Sequence, residues 1–373
     1  MRSKLFNLVM FVIAVGAAGI AAAGNAEPPQ DPDVLKFMSR ALPWYSDSTF
    51  SINFDEKFLT PSGAYRLIQV QRKSGNQFFN RRTSVVLDEP GGTLWIGAAA
   101  QLPREILNAD SEKLKTFIDE YVSELLMRNM RIRGRVDWNV ETAGPSAVLR
   151  FNLFVNTGYG EYVRPGGVTI DGGLVLLGAP YPYDQDPVAY RRELFESSES
   201  IVWDYRSGSA TVKIVEFSDF ECPACRAKWP LIRQVLMKHG DAVDHGMVGY
   251  PLPSIHPWSF RSASAGWCVA EQQAAAFADF KELFYSMQRD MELSLVTPTA
   301  LDFVVGNGLD EERLKECYLK QPSLDGVHGQ KGFGWSLGVV ATPTYYVNGW
   351  MISVPDPLWF GDFIDRFVAG EEP

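Results

Sequence analysis

The chain has 373 residues, a formal net charge of −10 and a composition that is 46% hydrophobic and 13% aromatic. This length exceeds what one compact core usually serves, so the sequence predicts two or three domains with well-packed interiors. The acidic balance argues against a nucleic-acid partner and gives no polybasic signal for a membrane surface.

The first 26 residues have the pattern of an export signal. Arg2 and Lys4 form a short positive segment that precedes an apolar run from Leu8 to Ala23. The small-residue motif Gly24 to Ala26 then supplies a cleavage pattern. We therefore predict a signal peptide over residues 1–26 and a periplasmic or otherwise exported protein. An uncleaved N-terminal membrane anchor is the alternative, although a spanning helix needs about 20 apolar residues.

The region from residue 27 to residue 180 has the pattern of an α+β fold with antiparallel strands. A short helix is predicted over 33–41, and an amphipathic helix follows a cap at Asp110 or Ser111. Alternating apolar residues from Leu149 to Val155 indicate a half-buried strand. The other predicted strands are rich in β-branched and aromatic residues and cover 49–54, 65–71, 83–87 and 93–96.

Two glycine-containing segments of this region resemble each other. Asp88 to Ala98 contains a Gly-Gly turn, apolar residues and a Gly-Ala pair, and Thr169 to Ala179 repeats that order. Either a duplication or two unrelated glycine-turned hairpins accounts for the similarity. We predict α+β modules over residues 27–105 and 106–180, followed by a connector with a linker helix over 181–208.

The motif that carries chemistry follows a predicted buried strand. Thr211 to Phe217 is nearly continuously apolar and leads into Cys222-Pro-Ala-Cys225, after which Arg226 to His239 is compatible with a helix. A cysteine at a helix N-terminus meets unpaired backbone N–H groups and the positive end of the helix dipole, which favour the thiolate. Two intervening residues let the second sulfur reach the first, so the pair can open and close as a disulfide.

Three other interpretations of the cysteine pair stay open at this point. It could be a purely structural disulfide, although such a short loop contributes little stability, or an inactive motif in a binding module. It could also be half of a zinc site, but the chain has only four histidines and no second pair of this kind. We therefore predict no metal site and no cofactor.

Residues 215–225, Val-Glu-Phe-Ser-Asp-Phe-Glu-Cys-Pro-Ala-Cys, resemble the active-site segment of DsbA-like thioredoxin-fold proteins of the bacterial periplasm. Residues 338–349, Gly-Val-Val-Ala-Thr-Pro-Thr-Tyr-Tyr-Val-Asn-Gly, are similar to the cis-proline strand of that family. Three further segments match its helical insertion, namely 267–272, 308–310 and Cys317. The resemblance runs from residue 209 to the end of the chain.

This resemblance implies an α/β thioredoxin-like fold over residues 209–373, with a helical insertion at about 254–335. It implies that Cys222 is the attacking thiol and Cys225 the resolving thiol. It also implies that Pro343 is a cis-proline beside them, and such a bond occurs in only about 5–6% of X–Pro positions.

Further residues acquire expected roles from the same resemblance. Glu216 lies where the family places a buried acid, which could exchange a proton with the resolving thiol, and the alternative is a solvent-facing position at the end of the sheet. Cys268 and Cys317 would lie on different helices of the insertion. We expect a structural disulfide between them, ahead of free buried thiols or a redox relay. His256 stands before Pro257 in a loop and has no partner that the sequence reveals.

The N-terminal region has a second resemblance. Asp171 to Gly178, the linker helix and Ile201 to Trp203 are similar to the join in DsbC- and DsbG-like isomerases, which dimerise through a cystatin-like N-terminal module. Thr342 before Pro343 is also isomerase-like. The resemblance implies cystatin-like modules and a homodimer formed through them. Two tandem modules could instead pack on each other and leave a monomer, because one repeat covers the exposed edge strand of the other.

Taken together, these patterns predict an exported protein thiol–disulfide oxidoreductase, either an oxidase or an isomerase. It would exchange disulfides with exported, cysteine-containing proteins through a mixed disulfide at Cys222 and depend on a membrane or soluble redox partner. The alternative is a client-binding chaperone or scaffold in which the cysteine pair is not essential.

Overall fold

The computed structural model describes residues 28–373 except 45–46, 61–62, 75–80, 90–91, 131–132, 139–147, 157–160, 171–172, 254, 319–320, 340 and 353–354. The predicted signal peptide lies outside the described residues, as do Gly91, Asp171 and Gly172 of the repeated segments. The chain divides into two units, Met1–Pro187 and Val188–Pro373. No helix in the described ranges is both long enough and apolar enough to cross a membrane.

The described part of the first unit consists of helices packed with a large antiparallel sheet. Helix α1 is Pro32–Ala41, and the side chain of Asp31 caps it by accepting the backbone N–H groups of Asp33 and Val34. Helix α2 is Ser111–Met130, and a short 3₁₀ turn, Arg104–Ile106, precedes it. The strands are β1 Thr49–Thr60, β2 Gly63–Lys73, β3 Arg81–Asp88, β4 Thr93–Gln101, β5 Arg133–Asp137, β6 Val148–Asn156, β7 Glu161–Thr169 and β8 Leu174–Pro182.

These strands form one sheet in the order β1-β2-β3-β4-β8-β7-β6-β5, with antiparallel neighbours throughout. The apolar face of α2 packs on it, because Leu114 and Ile118 are buried in one cluster with Phe151 and Leu153 of β6. The described residues of the predicted modules 27–105 and 106–180 therefore form the two halves of a shared sheet.

The join between these halves accounts for the repeated glycine segments. Each half has the same order of elements, a helix followed by four strands, and the halves meet where β4 pairs with β8. At that join Gly97 lies opposite Gly178. A Cβ atom on Gly97 would lie 2.1 Å from the carbonyl oxygen of Leu177, and one on Gly178 would lie 2.3 Å from that of Ile96. Each of the two similar segments thus supplies one of two glycines that face each other across this join.

The second unit is built on a mixed sheet. Its strands are β9 Val202–Tyr205, β10 Val212–Ser218, β11 Val243–Gly249, β12 Thr344–Val347 and β13 Trp350–Ile352. Their order is β13-β12-β10-β11-β9, in which β10 and β11 are parallel and the other pairs are antiparallel. The helices are α3 Pro187–Ser197, α4 Pro223–His239, α5 Ser259–Ala270, α6 Ala276–Met287, α7 Val296–Gly306, α8 Glu311–Tyr318, α9 Gln321–Ser336 and α10 Phe360–Val368.

The order β10-α4-β11, followed by the β12-β13 hairpin and α10, is the thioredoxin topology, with α5 to α9 inserted between β11 and β12. The predicted thioredoxin-like fold with a helical insertion is therefore confirmed. Strand β9 lies within the segment 181–208, whose sequence indicated a connector, and it pairs with β11 at the edge of this sheet. Phe195 of α3 is likewise buried in the core of the unit, beside Val215 and Phe217.

Candidate active site

Cys222 occupies the N-cap position of helix α4, and Pro223 is its first helical residue. Strand β10 ends at Ser218, and the turn that follows is closed by a hydrogen bond from the Cys222 N–H to the Asp219 carbonyl oxygen, at 3.1 Å. Proline fits at this position because the first N–H groups of a helix have no intrahelical acceptor. The Cys222 residue is 5% exposed and Cys225, one turn into the helix, is fully buried. Both are free thiols.

The two thiols have opposite acidities. The side-chain hydrogen bond with Cys225 contributes most to lowering the pKa of Cys222 to about 6, and burial opposes this effect. A contact with the Thr342 side chain and the backbone N–H groups of Cys225 and Ala224 lower the pKa further. Burial raises the pKa of Cys225 well above its usual value, and the neighbouring Cys222 and Glu216 add to the rise. Cys222 is therefore the sulfur suited to nucleophilic attack.

The segment before β12 lies directly beside the nucleophile. The peptide bond between Thr342 and Pro343 is cis. The Cys222 Sγ atom lies 3.6 Å from the Thr342 carbonyl oxygen, within hydrogen-bonding distance for sulfur. The fold thus brings together Cys222, Cys225 and Thr342, with Pro343 next in the chain.

Glu216 lies on β10 and is fully buried. It accepts a hydrogen bond from the Tyr345 hydroxyl at 3.1 Å, and its Oε2 atom lies 3.2 Å from His245 Nε2 and 3.5 Å from Lys281 Nζ. Burial alone would raise the pKa of Glu216, but the charges of Lys281 and His245 outweigh burial and lower it. Of the two predicted alternatives, the geometry corresponds to the buried acid.

Asp204 completes a buried network of charges. It lies 2.6 Å from His245 Nδ1 and 2.9 Å from Lys281 Nζ, and these side chains are completely inaccessible to solvent. Burial opposes ionisation of Asp204, but His245 and Lys281 lower its pKa to about 2. Burial also opposes a charge on His245, yet Asp204 raises its pKa. Two carboxylates and two cations therefore neutralise one another behind Cys225.

Sequence reasoning missed Asp204 and Lys281. Lys281 had a recognisable signal, because it lies on the apolar stripe of α6 among Phe277, Phe280 and Phe284, where a lysine requires a buried partner. Its Nζ atom lies 3.6 Å from the centroid of the Trp229 ring, on α4. Asp204 had no such signal, because it belongs to a four-residue edge strand.

The helical insertion holds the active-site turn from behind. Gln288, which follows α6, donates hydrogen bonds to the carbonyl oxygens of Phe220 at 2.7 Å and of Cys222 at 3.0 Å. The Phe220 ring packs in turn against four rings of α6, those of Phe277, Phe280, Phe284 and Tyr285. The insertion therefore fixes the backbone from which Cys222 projects.

The remaining cysteines form a separate pair. Cys268 of α5 and Cys317 of α8 are joined by a disulfide that links two helices of the insertion across 49 residues of sequence. His256, which had no visible partner in the sequence, lies 2.7 Å from Asp219 Oδ2 through its Nδ1 atom. Over the described ranges, no group of three or more His, Cys, Asp or Glu side chains is arranged to hold a metal ion.

A thioredoxin sheet that carries an acidic thiol at a helix N-terminus and a buried second thiol is an arrangement suited to thiol–disulfide exchange. A protein-family model described as Thioredoxin matches residues 207–366. Disulfide bond formation protein D of Bacillus subtilis (strain 168) is 31% identical over 144 residues, which cover 37% of this chain and 64% of that protein. The probable disulfide bond formation protein D of Bacillus cereus is 30% identical over 146 residues, which cover 38% of this chain and 67% of that protein.

Two other similarities extend over part of the chain. The Na⁺/H⁺ antiporter NhaA 3 of Salinispora tropica is 28% identical over 182 residues, which cover 48% of this chain and 24% of the antiporter. The crystal structure of oxidised BdbD from Bacillus subtilis has 26% identity and a TM-score of 0.38, and the alignment covers 44% of this chain and 90% of that chain. The chain spans less than two thirds of the length of the antiporter and of the Bacillus subtilis relative.

The chain belongs to the DsbA-like thioredoxin-fold family, as the residues around Cys222 and Pro343 predicted. The similarity of the N-terminal region to the DsbC-like module stays a prediction.

Proposed function

We propose that this protein is an exported thiol–disulfide oxidoreductase that exchanges disulfides with cysteine-containing proteins through a mixed disulfide at Cys222. The observation that carries the proposal is the position of Cys222 at the N-cap of α4, one turn before the fully buried Cys225. With a pKa of about 6, Cys222 is roughly nine-tenths thiolate at pH 7, whereas a free cysteine with a pKa of about 8.5 is about 3% thiolate. The thiolate is the nucleophile in disulfide exchange.

The exchange has two steps. In the oxidising direction a client thiolate attacks Cys222 Sγ, the Cys222–Cys225 bond breaks, and Cys225 leaves as a thiolate that takes up a proton. A second client thiolate then attacks the client sulfur of the mixed disulfide, and Cys222 leaves as a thiolate. Two electrons pass from the client to the cysteine pair, and the client gains a disulfide. The reverse sequence reduces a client disulfide, and the potential of the redox partner selects the direction.

Glu216 is the proposed proton partner of Cys225. Burial, the Cys222 sulfur and the charge of Glu216 all raise the pKa of Cys225, so its thiolate is short-lived and must gain or lose a proton at each turnover. Glu216 is a buried ionisable group that interacts with this thiol, and His245 and Lys281 stabilise its charge. A general acid–base group of this kind typically contributes about 10²–10⁴-fold to rate.

Export and partners form part of the same proposal. The signal-like pattern of residues 1–26 supports an extracytoplasmic location, where disulfides persist. Because each exchange leaves the cysteine pair in the other redox state, a membrane or soluble redox partner must restore it.

The sheet of the first unit bears on the oligomeric state. The pairing of β4 with β8 gives each half-sheet its partner within one chain. This pairing supports the tandem alternative, in which one repeat covers the other, over a homodimer formed through residues 27–180. We therefore expect a monomer in solution, which light scattering of the mature protein tests. A dimer that is lost when the first unit is disrupted would contradict this expectation. It would support the homodimer formed through residues 27–180 instead.

The test of the function uses a fluorescent peptide with two cysteine thiols. The oxidised protein should form the peptide disulfide, and Cys222→Ser should abolish this reaction. When the peptide is supplied in its disulfide form, the Cys222 thiolate of Cys225→Ser should attack it, displace a peptide thiolate and accumulate as a mixed disulfide, because Cys225 is no longer present to resolve it. Glu216→Gln should slow exchange at least tenfold, while the exposed Glu312→Gln should leave it unchanged.

The competing hypothesis, a client-binding chaperone or scaffold, gives a different result. In that case Cys222→Ser would suppress aggregation of a reduced client as well as the unmodified protein does, and neither protein would alter the redox state of the peptide.

A further inference from the structure

The loop that follows β11 is tied to the turn that carries Cys222. The Oδ2 atom of Asp219 accepts hydrogen bonds from the Leu252 backbone N–H at 2.9 Å and from His256 Nδ1 at 2.7 Å. Its Oδ1 atom accepts the backbone N–H of Glu221 at 2.9 Å. One carboxylate therefore fixes both the turn before the nucleophile and the imidazole of His256.

A second contact closes the same loop. The Glu221 Oε2 atom accepts the backbone N–H of Trp258 at 2.6 Å. The His256 carbonyl oxygen in turn accepts the backbone N–H of Ser259, at the start of α5. His256 is thus held on both sides in sequence and cannot swing away from the active-site turn without breaking these bonds.

The electrostatic surroundings of His256 favour its charged form. The Asp219 side chain is completely inaccessible to solvent and the His256 side chain is 14% exposed. The hydrogen bond to Asp219 contributes most to raising the pKa of His256, burial opposes it, and the charges of Asp219, Cys222 and Glu221 add to the rise. Asp219 holds His256 at 2.7 Å and accepts the Cys222 backbone N–H at its carbonyl oxygen at 3.1 Å, so the imidazole is held against the turn that carries the reacting sulfur.

We propose that His256, held by Asp219, is an electrostatic partner of Cys222 that takes up a proton when the Cys222–Cys225 pair is reduced and releases it when the pair is oxidised. The proposal rests on the proposed function only in requiring that these two cysteines form a reversible disulfide. His256 is a positioning residue, since it acts on the reacting sulfur through charge.

The proton balance of client oxidation shows where this uptake occurs. A client with two thiols gives two electrons to the disulfide and loses two protons. Cys225 takes one proton as a thiol, and Cys222 remains a thiolate above a pH of about 6. The second proton is taken up by His256 in those molecules in which the imidazole becomes charged on reduction. In the other molecules it is released to the solvent.

Coupling between two sites is reciprocal. If the Cys222 thiolate favours the charged imidazole, the charged imidazole favours the thiolate to the same extent. The charge on His256 therefore stabilises the reduced pair and makes the protein a stronger oxidant. Within the described part of the chain, Asp219 and Glu221 of the same turn also act on His256. Burial raises the pKa of Glu221 to about 7, so its charge also changes near neutral pH.

The direct test is an NMR pH titration of the histidine rings in the full chain, with the Cys222–Cys225 pair reduced and then oxidised. We expect a higher pKa for His256 in the reduced protein. In a Cys222→Ser variant His256 should titrate as it does in the oxidised protein. His239 is the internal control, because it also pairs with an aspartate, Asp365, at 2.9 Å, but lies at the far end of α4. That end is about 25 Å from Cys222 in a helix of 17 residues.

A reciprocal variant gives an independent readout. His256→Gln should raise the pKa of Cys222, which thiolate absorbance measures. The rise should equal the amount by which oxidation lowers the pKa of His256. His239→Gln should leave the pKa of Cys222 unchanged. The proposal is overturned if His256 has one pKa in both redox states, or if Cys222→Ser retains the reduced-state value. Neither measurement uses a client. If the pKa of His256 differs between the redox states but the protein does not exchange disulfides with the peptide, the result counts against the proposed function alone.

Discussion

Replacing Lys281 with methionine tests whether the buried charges behind Cys225 depend on one another. Lys281→Met retains the volume of the side chain but removes the cation from between Asp204, at 2.9 Å, and Glu216, at 3.5 Å. Two carboxylates then remain with His245 as their only cation in the network described here. Removing one partner from a buried ion pair typically costs about 3–5 kcal/mol, because the other charge is left uncompensated. For a unit of this size the loss corresponds to a decrease of about 6–20 °C in Tm.

The matched control is Lys315→Met. Lys315 lies 2.7 Å from Glu311 and 2.8 Å from Glu312, but all three side chains are at least one-third exposed. Such surface pairs contribute about 0–1 kcal/mol, so this variant should unfold close to the parent protein. The assay is urea unfolding followed by tryptophan fluorescence, since Trp229 packs against Lys281.

The pH dependence of this destabilisation has a definite sign. The pKa of Asp204 is lowered to about 2 in the folded protein, so its ion pairs contribute stability that is fully present above its unfolded value of about 3.9. That contribution is lost as the pH falls towards 2. The difference between Lys281→Met and the parent protein should therefore shrink in this range. A loss below about 1 kcal/mol at pH 7, equal to that of Lys315→Met, would show that the buried charges do not depend on one another.

Three further predictions concern the reduced thiol, the second disulfide and the sheet join. The reduced protein should gain stability over Cys222→Ser as the pH rises. A thiol with a lowered pKa contributes stability that is fully present above its unfolded pKa of about 8.5 and is lost as the pH falls through its folded pKa of about 6. Urea unfolding midpoints under reducing conditions measure this difference. A Cys268→Ser/Cys317→Ser double variant should lose about 4 kcal/mol by thermal unfolding, since the disulfide closes a loop of 49 residues, and an unchanged Tm would contradict this. Gly97→Ala should cost about 1–3 kcal/mol in chemical denaturation, because its Cβ would meet the facing strand, whereas Gly361→Ala meets nothing and should not destabilise.

The sequence predicts those parts of the site that lie in strongly patterned segments. The apolar strand before Cys222 and the helix after it are local features, so the N-cap position of the nucleophile follows from spacing alone. Pro343 and Glu216 required the family resemblance, because their approach to the cysteines depends on the pairing of β10 with β12.

The remaining contacts join segments that are distant in sequence. Asp204 meets Lys281 across 77 residues, and Asp219 meets His256 across 37. No local pattern reports such a pairing, because it depends on how the insertion folds back over the sheet. The join between β4 and β8 was predictable only in part. The repeated glycines indicated both strands, but not that these strands pair with each other.

Whether Cys222 is the nucleophile can be measured from the alkylation rate of each cysteine in the reduced protein as a function of pH, with the modified residue identified by peptide mapping. We expect Cys222 to react first, with a half-maximal rate near pH 6, and Cys225 to stay unmodified until Cys222 has reacted. Preferential modification of Cys225, or a Cys222 rate that rises only near the free-cysteine value of about 8.5, would contradict it.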